Sequence, residues 1–321
     1  MIVKPRTIPL RIRKCEAILR RLPKNHPKQD AIKDDLAKRR AGFYGEQALD
    51  YHIGFLDEKM YYIFHDLRLP FGQQYFQIDT LILSTHFALI LEVKNMAGTL
   101  FFDPSFHQLI RTYNDKEEVF LDPIIQARRL QIQFRKWLSV QQFPDMPVEF
   151  LVIIPNTSTF LKTPPENQNI NQKVINVHRL LEKIENIQDK YKVEKICPKT
   201  MKKLNKCLLK NHTPPNYDLF QTFEISRSEL LTGVSCPNCS SIPMARIKGR
   251  WQCPVCHCES KDAHLEAIED YFLLFQPSIT NPELRNFLHL SSSFTATRLL
   301  KAMNLPYSGS KKGRVYYPHI N

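Results

Sequence analysis

The sequence has no apolar run long enough to cross a bilayer. The longest, Phe87–Val93 and Phe150–Pro155, fall far short of the roughly 20 residues that a spanning helix needs. A helical membrane protein is therefore excluded. Met1 to Lys14 lacks the sustained apolar core of a secretory signal, so a cytoplasmic chain without membrane partners is expected. Glycine is scarce, 9 of 321 residues, while 43% of residues are hydrophobic. That balance is globular, with length for two or three units. There is no internal repeat, and no acid follows Glu283.

What is present is positive charge, unevenly placed. The net charge is +13, with 13 Lys/Arg against 4 Asp/Glu in residues 1–40 and 6 Lys/Arg without an acid in 284–321. Basic ends on a near-neutral middle suggest modules that approach a polyanion. The plainer alternative is a solubilising surface.

Five segments follow from the pattern. Residues 1–37 read as a basic, partly helical arm, broken by Pro23 and Pro27. Residues 38–155 read as an α/β domain. Tyr44–Leu56 is expected to be helical, and Tyr61–Leu67, Tyr75–Leu83, Phe87–Lys94 and Val148–Ile154 extended, with shorter strands at 99–102 and 111–113. Asp122-Pro123 marks a helix start, with Asp as cap and Pro at the first helical position. Residues 156–230 read as a helical extension and linker, with 156–173 as loop. A cysteine module occupies 231–260, and a helical unit with a basic hairpin fills 261–321.

Asp79 and Glu92 carry the chemistry of the middle domain. A tight turn centred on Thr85-His86 sets them opposite each other, with Cβ atoms about 5 Å apart. Lys94 lies two residues beyond Glu92 and shares its sheet face. Two carboxylates so placed repel unless a cation lies between them. Asp79 and Glu92, with the Val93 carbonyl as a further candidate, offer oxygen ligands to Mg²⁺ or Mn²⁺. Lys94 would orient a water or stabilise developing negative charge. Glu46 shares a helical stripe with Leu49, Ile53 and Leu56, and Gln126 with Leu130, Phe134 and Trp137. Both are thus inward-facing polar groups in need of partners. A metal-dependent phosphodiesterase is expected, the alternative being an ion pair at a strand end.

Gly45-Glu46, Gln77-Ile78-Asp79, Glu92-Val93-Lys94-Asn95 followed by Gly98, and Pro123-Ile124 with Gln126 resemble the successive motifs of the NERD (nuclease-related) domain. The similarity covers about residues 38–155, and Asp122 stands where Asn is usual. The family is considered a branch of the PD-(D/E)XK, restriction-endonuclease-like superfamily. The resemblance implies a mixed sheet flanked by helices, with Glu46, Asp79, Glu92, Lys94 and Gln126 as the active-site set.

Eight cysteines complete the inventory. Cys236-Pro237-Asn238-Cys239 and Cys253-Pro254-Val255-Cys256 form two knuckles at a spacing that suits a tetrahedral Cys₄ zinc ribbon. Its closed coordination assigns Zn²⁺ a structural role. His257 and Cys258 are alternative ligands, and redox chemistry is the competing reading.

In the last segment, helices at 264–275, 282–288 and 295–303 precede Tyr307-Ser308-Gly309-Ser310-Lys311-Lys312-Gly313-Arg314-Val315-Tyr316-Tyr317. Three helices and a basic wing resemble a winged helix-turn-helix. Arg298 and Lys301 would lie on its recognition helix, and Lys311, Lys312 and Arg314 would meet DNA phosphates, the alternative being a helical cap docked on the nuclease-like domain. The combined expectation is a Mg²⁺-dependent nuclease acting on DNA. The rival is a nuclease-fold DNA-binding or regulatory protein without turnover.

Overall fold

Strands with period-two burial and helices with one apolar face build two units, Met1–Ile8 with Arg40–Asn216, and Pro9–Arg39 with Tyr217–Asn321. The computed structural model describes residues 1–319, except the side chains of Gln168, Asn169 and Lys312. The Lys312 side chain, one of the cations expected to meet phosphate, thus lies outside the described residues.

The first unit contains β1 (Ile2–Lys4), β2 (Tyr62–Phe71), β3 (Gln74–Leu83), β4 (Ala88–Val93), β5 (Thr99–Asp103), β6 (Gln108–Tyr113), β7 (Lys116–Leu121), β8 (Val148–Ile154), β9 (Phe160–Lys162) and β10 (Val174–Asn176). A mixed sheet of six runs β1-β2-β3-β4-β8-β10. The pairs β2–β3 and β3–β4 are antiparallel, whereas β1–β2, β4–β8 and β8–β10 are parallel. A second sheet runs β7-β6-β5-β9.

Strand β4 explains the run at Phe87–Val93. All six of its residues are buried, because helices cover both faces of the sheet. Such a strand reads as continuous apolar sequence. On one face Ala88 and Ile90 join Leu130, Phe134 and Trp137 of helix Pro123–Val140 and Met201, Leu204 and Leu208 of helix Pro198–Asn211. On the other, Leu89, Leu91 and Val93 join Leu49, Ile53, Leu180 and Ile184. Each large apolar side chain so buried stabilises the fold by roughly 1.5–3 kcal/mol.

Residues 1–37, expected as a basic arm, are divided between the units. Met1–Ile8 belongs to the first, where β1 extends the sheet beside β2. Leu10–Arg21 is a helix of the second unit, packed on helix His264–Leu274. Its charges are largely spent internally. Arg21 is fully buried, with its Nε 2.9 Å from Asp270 Oδ2, and Arg20 Nη2 lies 2.6 Å from Asp270 Oδ1. Arg11 donates twice to Asp35, at 2.9 Å each. Charge counting over residues 1–40 overstated what Arg20 and Arg21 offer a polyanion, since their partner Asp270 lies outside that stretch. The helix expected at 44–56 is Gln29–Ile53. Its residues through Arg39 fall in the second unit and those from Arg40 in the first.

The second unit also contains β11 (Ala245–Ile247), β12 (Arg250–Gln252) and β13 (Glu259–Ser260), which form a three-stranded sheet beside the cysteines. Helix His264–Leu274 leads to β14 (Ile279–Thr280), helix Asn281–Leu288 and helix Ser293–Ala302. A hairpin of β15 (Tyr307–Ser308) and β16 (Val315–Tyr316) follows. The sheet order β14-β16-β15 with these helices gives a winged-helix-like arrangement. Thr280 and Glu283 form a capping box at the start of the middle helix, which fixes its N-terminus.

Candidate active site and metal centre

Strand alternation delivers Glu92 to the site. It follows Ala88 and Ile90 at period two, so it faces helix Pro123–Val140, and it is 8% exposed. Asp79 arrives by a different route. The β3–β4 ladder pairs Thr80 with Leu91 through Leu83 with Ala88, the register that a turn centred on Thr85-His86 sets. Asp79 and Glu92 are next on that register, one step past the ladder's end. Opposite Asp79 on β2, Asp66 has a left-handed φ of 50°, and this pair is missing from the β2–β3 ladder. Freed from pairing, Asp79 accepts the Val93 N–H at 3.0 Å.

Asp79, Glu92 and Gln126 line one open pocket of about 410 Å³, with Tyr75, Arg129 and Gln133 among its other walls. Gln126 comes from the first turn of helix Pro123–Val140. The Asp122 carboxylate caps that helix by accepting the Ile124 N–H at 2.8 Å. The Gln126 Oε1 is buried without a hydrogen-bond partner. Lys94 does not line the pocket among the described residues. It joins the site through Glu92, its Nζ 2.8 Å from Oε1.

Glu46 enters from the end of helix Gln29–Ile53 that lies in the first unit. Gly45 lets that helix approach, because a Cβ there would collide with the Asn95 side chain. Glu46 does not line the pocket among the described residues, but its charge acts on it. Burial, then Glu92 and Glu46, push the Asp79 carboxyl well above its ordinary range. Burial likewise pushes Glu46 up to about 7, against the pull of Arg6 and with the help of Asp66, Glu92 and Asp50. Carboxyls in this condition hold protons or take a cation. Two carboxylates and an unpartnered amide oxygen at one open pocket are hard oxygen donors, a set that fits a divalent ion such as Mg²⁺.

Sequence reasoning missed Arg6. Its side chain is 5% exposed and reaches Glu46 Oε2 at 2.6 Å, Asp50 Oδ1 at 3.1 Å and Thr80 Oγ1 at 3.2 Å. It also lies 2.9 Å from His65 Nδ1. Burial and then Arg6 push the His65 imidazole down to about 4, so it is neutral at pH 7. No local signal marks Arg6, because its partners lie 40 to 74 residues away. Arg129 and Gln133 were also missed, although their spacing of three and seven from Gln126 places them on its helix face.

These positions fall inside a stretch with known relatives. Residues 41–155 match the NERD family, the nuclease-related domain. No curated protein and no solved structure matches the chain. The NERD stretch contains Glu46, Asp79, Glu92, Lys94 and Gln126 and supports a nuclease-related function in general terms. The NERD match ends at Ile154-Pro155, where β8 closes. Arg6 reaches the NERD carboxylates from outside the matched residues.

The second unit holds a separate cluster. The sulfurs of Cys236, Cys239, Cys253 and Cys256 lie within 4.8 Å of one another. Cys236 and Cys256 are 3.5 Å apart, as are Cys239 and Cys253. Zinc–sulfur bonds of about 2.3 Å in a tetrahedron require sulfurs about 3.8 Å apart, so the donor set fits a metal ion of that kind. The knuckles are built alike. Ser240 N–H donates to the Cys236 carbonyl and His257 N–H to the Cys253 carbonyl, each acceptor four residues back. Ser240 and His257 have φ of 59° and 61°. His257 is thus a turn residue of its knuckle. Cys258 stands outside the cluster, its Sγ 3.9 Å from the Glu259 carbonyl.

The cations expected to meet DNA also separate. Lys301, Lys311 and Arg314 line one groove, whereas Arg298 is exposed and outside its lining.

Proposed function

We propose that the protein is a Mg²⁺-dependent nuclease that hydrolyses phosphodiester bonds of DNA in the cytoplasm. The observation that carries this reading is the convergence of Asp79, Glu92 and Gln126, whose Oε1 is buried without a partner, on one open pocket, within a nuclease-related stretch. Asp79 and Glu92 are the metal-holding residues. Bound there, Mg²⁺ or Mn²⁺ supplies Lewis acidity at a phosphoryl oxygen and acidifies water.

The chain's own groups do the rest. Val93 N–H fixes one Asp79 oxygen, leaving the other to face the pocket. Lys94, tethered to Glu92, places an ammonium where negative charge develops on the phosphoryl oxygens. Gln126 Oε1 accepts a hydrogen bond from water and so orients it. Glu46, held by Arg6, adds negative charge that favours cation binding. The Cys₄ centre takes Zn²⁺ in a structural role, since four thiolates leave no open position. The winged-helix-like unit engages DNA through Arg298, Lys301, Lys311, Lys312 and Arg314.

Incubation of the protein with DNA and Mg²⁺, beside Glu92→Ala and Lys94→Ala variants, tests the reading. Cleavage by the wild type alone is expected. Absence of cleavage on duplex, single-stranded and branched DNA refutes it and leaves a DNA-binding protein without turnover, whereas equal cleavage by the variants refutes the assignment of this site.

A further inference from the structure

Helix Asn281–Leu288, helix Ser293–Ala302 and the β15–β16 hairpin enclose a groove of about 520 Å³. Arg285, Lys301, Lys311 and Arg314 line it, and no carboxylate does among the described residues. The neutral part of the wall is already satisfied. Asn281 Nδ2 donates to the Ser293 carbonyl and to Thr297 Oγ1, each at 2.9 Å, and Thr297 Oγ1 donates to the Ser293 carbonyl at 3.0 Å. Those groups seek no ligand.

The cations differ. Arg285 is pinned by its bond to the Ser291 carbonyl at 2.9 Å, which fixes its charge at the groove. Arg314 lies over the Tyr307 ring, 4.2 Å from its centroid. Its Nε is buried and has no hydrogen-bond partner. A buried charged donor without an acceptor is rare and costly. Four clustered cations with no carboxylate among the described lining residues ask for an anion with several acceptor oxygens.

We propose that this groove holds a phosphoryl group, with Arg314 as its anchor and Lys301 and Lys311 closing on it. A guanidinium fork matches phosphoryl oxygens in geometry, and four cations exceed what a single carboxylate would balance. The volume falls within the range of small-molecule sites, enough for a nucleotide unit. The source of the phosphoryl group, a nucleic-acid backbone, rests on the reading of this unit as DNA-engaging. A backbone contact positions the duplex without reading its sequence.

The test uses the full-length Asp79→Ala protein without added Mg²⁺, so that binding is read in the absence of turnover. Fluorescence anisotropy follows two unrelated duplexes across a salt series, and calorimetry follows a nucleoside monophosphate. Arg314→Ala is expected to weaken both duplexes alike, by about tenfold, and to flatten the salt slope by about one. The double variant Lys301→Ala/Lys311→Ala removes two exposed side chains and is expected to act in the same direction. It keeps the proposal testable if near-UV circular dichroism shows that Arg314→Ala misfolds. Binding of the monophosphate alone, lost in the variants, keeps the phosphoryl assignment and makes a free nucleotide its source. Unchanged affinity and slope in the folded variants, a loss confined to one duplex sequence, or no binding of either ligand overturns it. Failure of the nuclease reading shows separately, as no cleavage by the wild type with Mg²⁺, and leaves these binding results intact.

Discussion

Glu46 makes the stability of the first unit depend on pH in a direction opposite to that of an ordinary salt-bridged acid. Its carboxyl is pushed from 4.5 up to about 7 by burial and by neighbouring acids. Below pH 4.5 it is protonated in both folded and unfolded chains, and its contribution is fully present. As pH rises, the unfolded chain ionises first while the folded site keeps its proton, so stability falls through pH 7. The interval, at about 1.4 kcal/mol per unit, sets an upper bound of about 3.5 kcal/mol. Solvent reaching its 26% exposed side chain lowers that figure.

A cation reverses the trend, because it binds the ionised site and releases protons. Mg²⁺ at a hundred times its dissociation constant would add about 2.7 kcal/mol, so it is expected to stabilise the protein more at pH 8 than at pH 5. The protein's two tryptophans permit a clean assay. Trp137 is buried in the first unit and Trp251 in the second, so a Trp251→Phe variant reports urea unfolding of the first unit alone. Glu46→Gln should flatten the fall between pH 5 and pH 8 and raise stability at pH 8. An equal Mg²⁺ effect at both pH values, or an unaltered pH profile in Glu46→Gln, would refute the reasoning.

Arg6→Gln should destabilise the first unit by about 2 kcal/mol in urea unfolding, since Glu46 and Asp50 lose their shared cation but remain partly solvated; unchanged stability would show that the network is idle. Gly45→Ala should cost about 1–3 kcal/mol through the clash with Asn95, read as a lowered thermal midpoint. Asp270→Ala should cost about 3–5 kcal/mol in the second unit by leaving Arg21 buried and unpaired, and a loss under 1 kcal/mol contradicts that account. Cys236→Ser should lower bound zinc below one ion per chain by elemental analysis and red-shift the emission of Trp251, which packs in the same cluster as Cys236.

The elements legible in the sequence were those whose signals are local. The Asp122-Pro123 cap, the apolar strands β4 and β8 and the two CxxC knuckles each depend on residues within a few positions. The hairpin β6–β7 was legible only in part. All six residues of β7 are exposed, so no buried face imposes alternation on Lys116–Leu121. Strand β9 and the 3-10 turns of Pro165–Gln172 lie in a stretch rich in Asn, Pro and Thr that reads as loop. The N-terminal half of helix Gln29–Ile53 is polar, and its apolar periodicity strengthens only at Leu49 and Ile53. Strand β1, three residues long, is too short to show a pattern.

The sequence by itself determined the register that brings Asp79 toward Glu92, because a tight turn fixes every pair that follows it. It also determined the cysteine quartet, because two knuckles at that spacing close on one point. Only the tertiary structure decided what surrounds them. It set Gln126 in the same pocket wall as the carboxylates, brought Arg6 from beyond edge strand β1 to Glu46, and buried Arg21 against Asp270. It also left Arg314 Nε buried without an acceptor beside a groove of cations. Electrostatic partners are chosen by distance through space, and a count of charges along the chain carries no such distances.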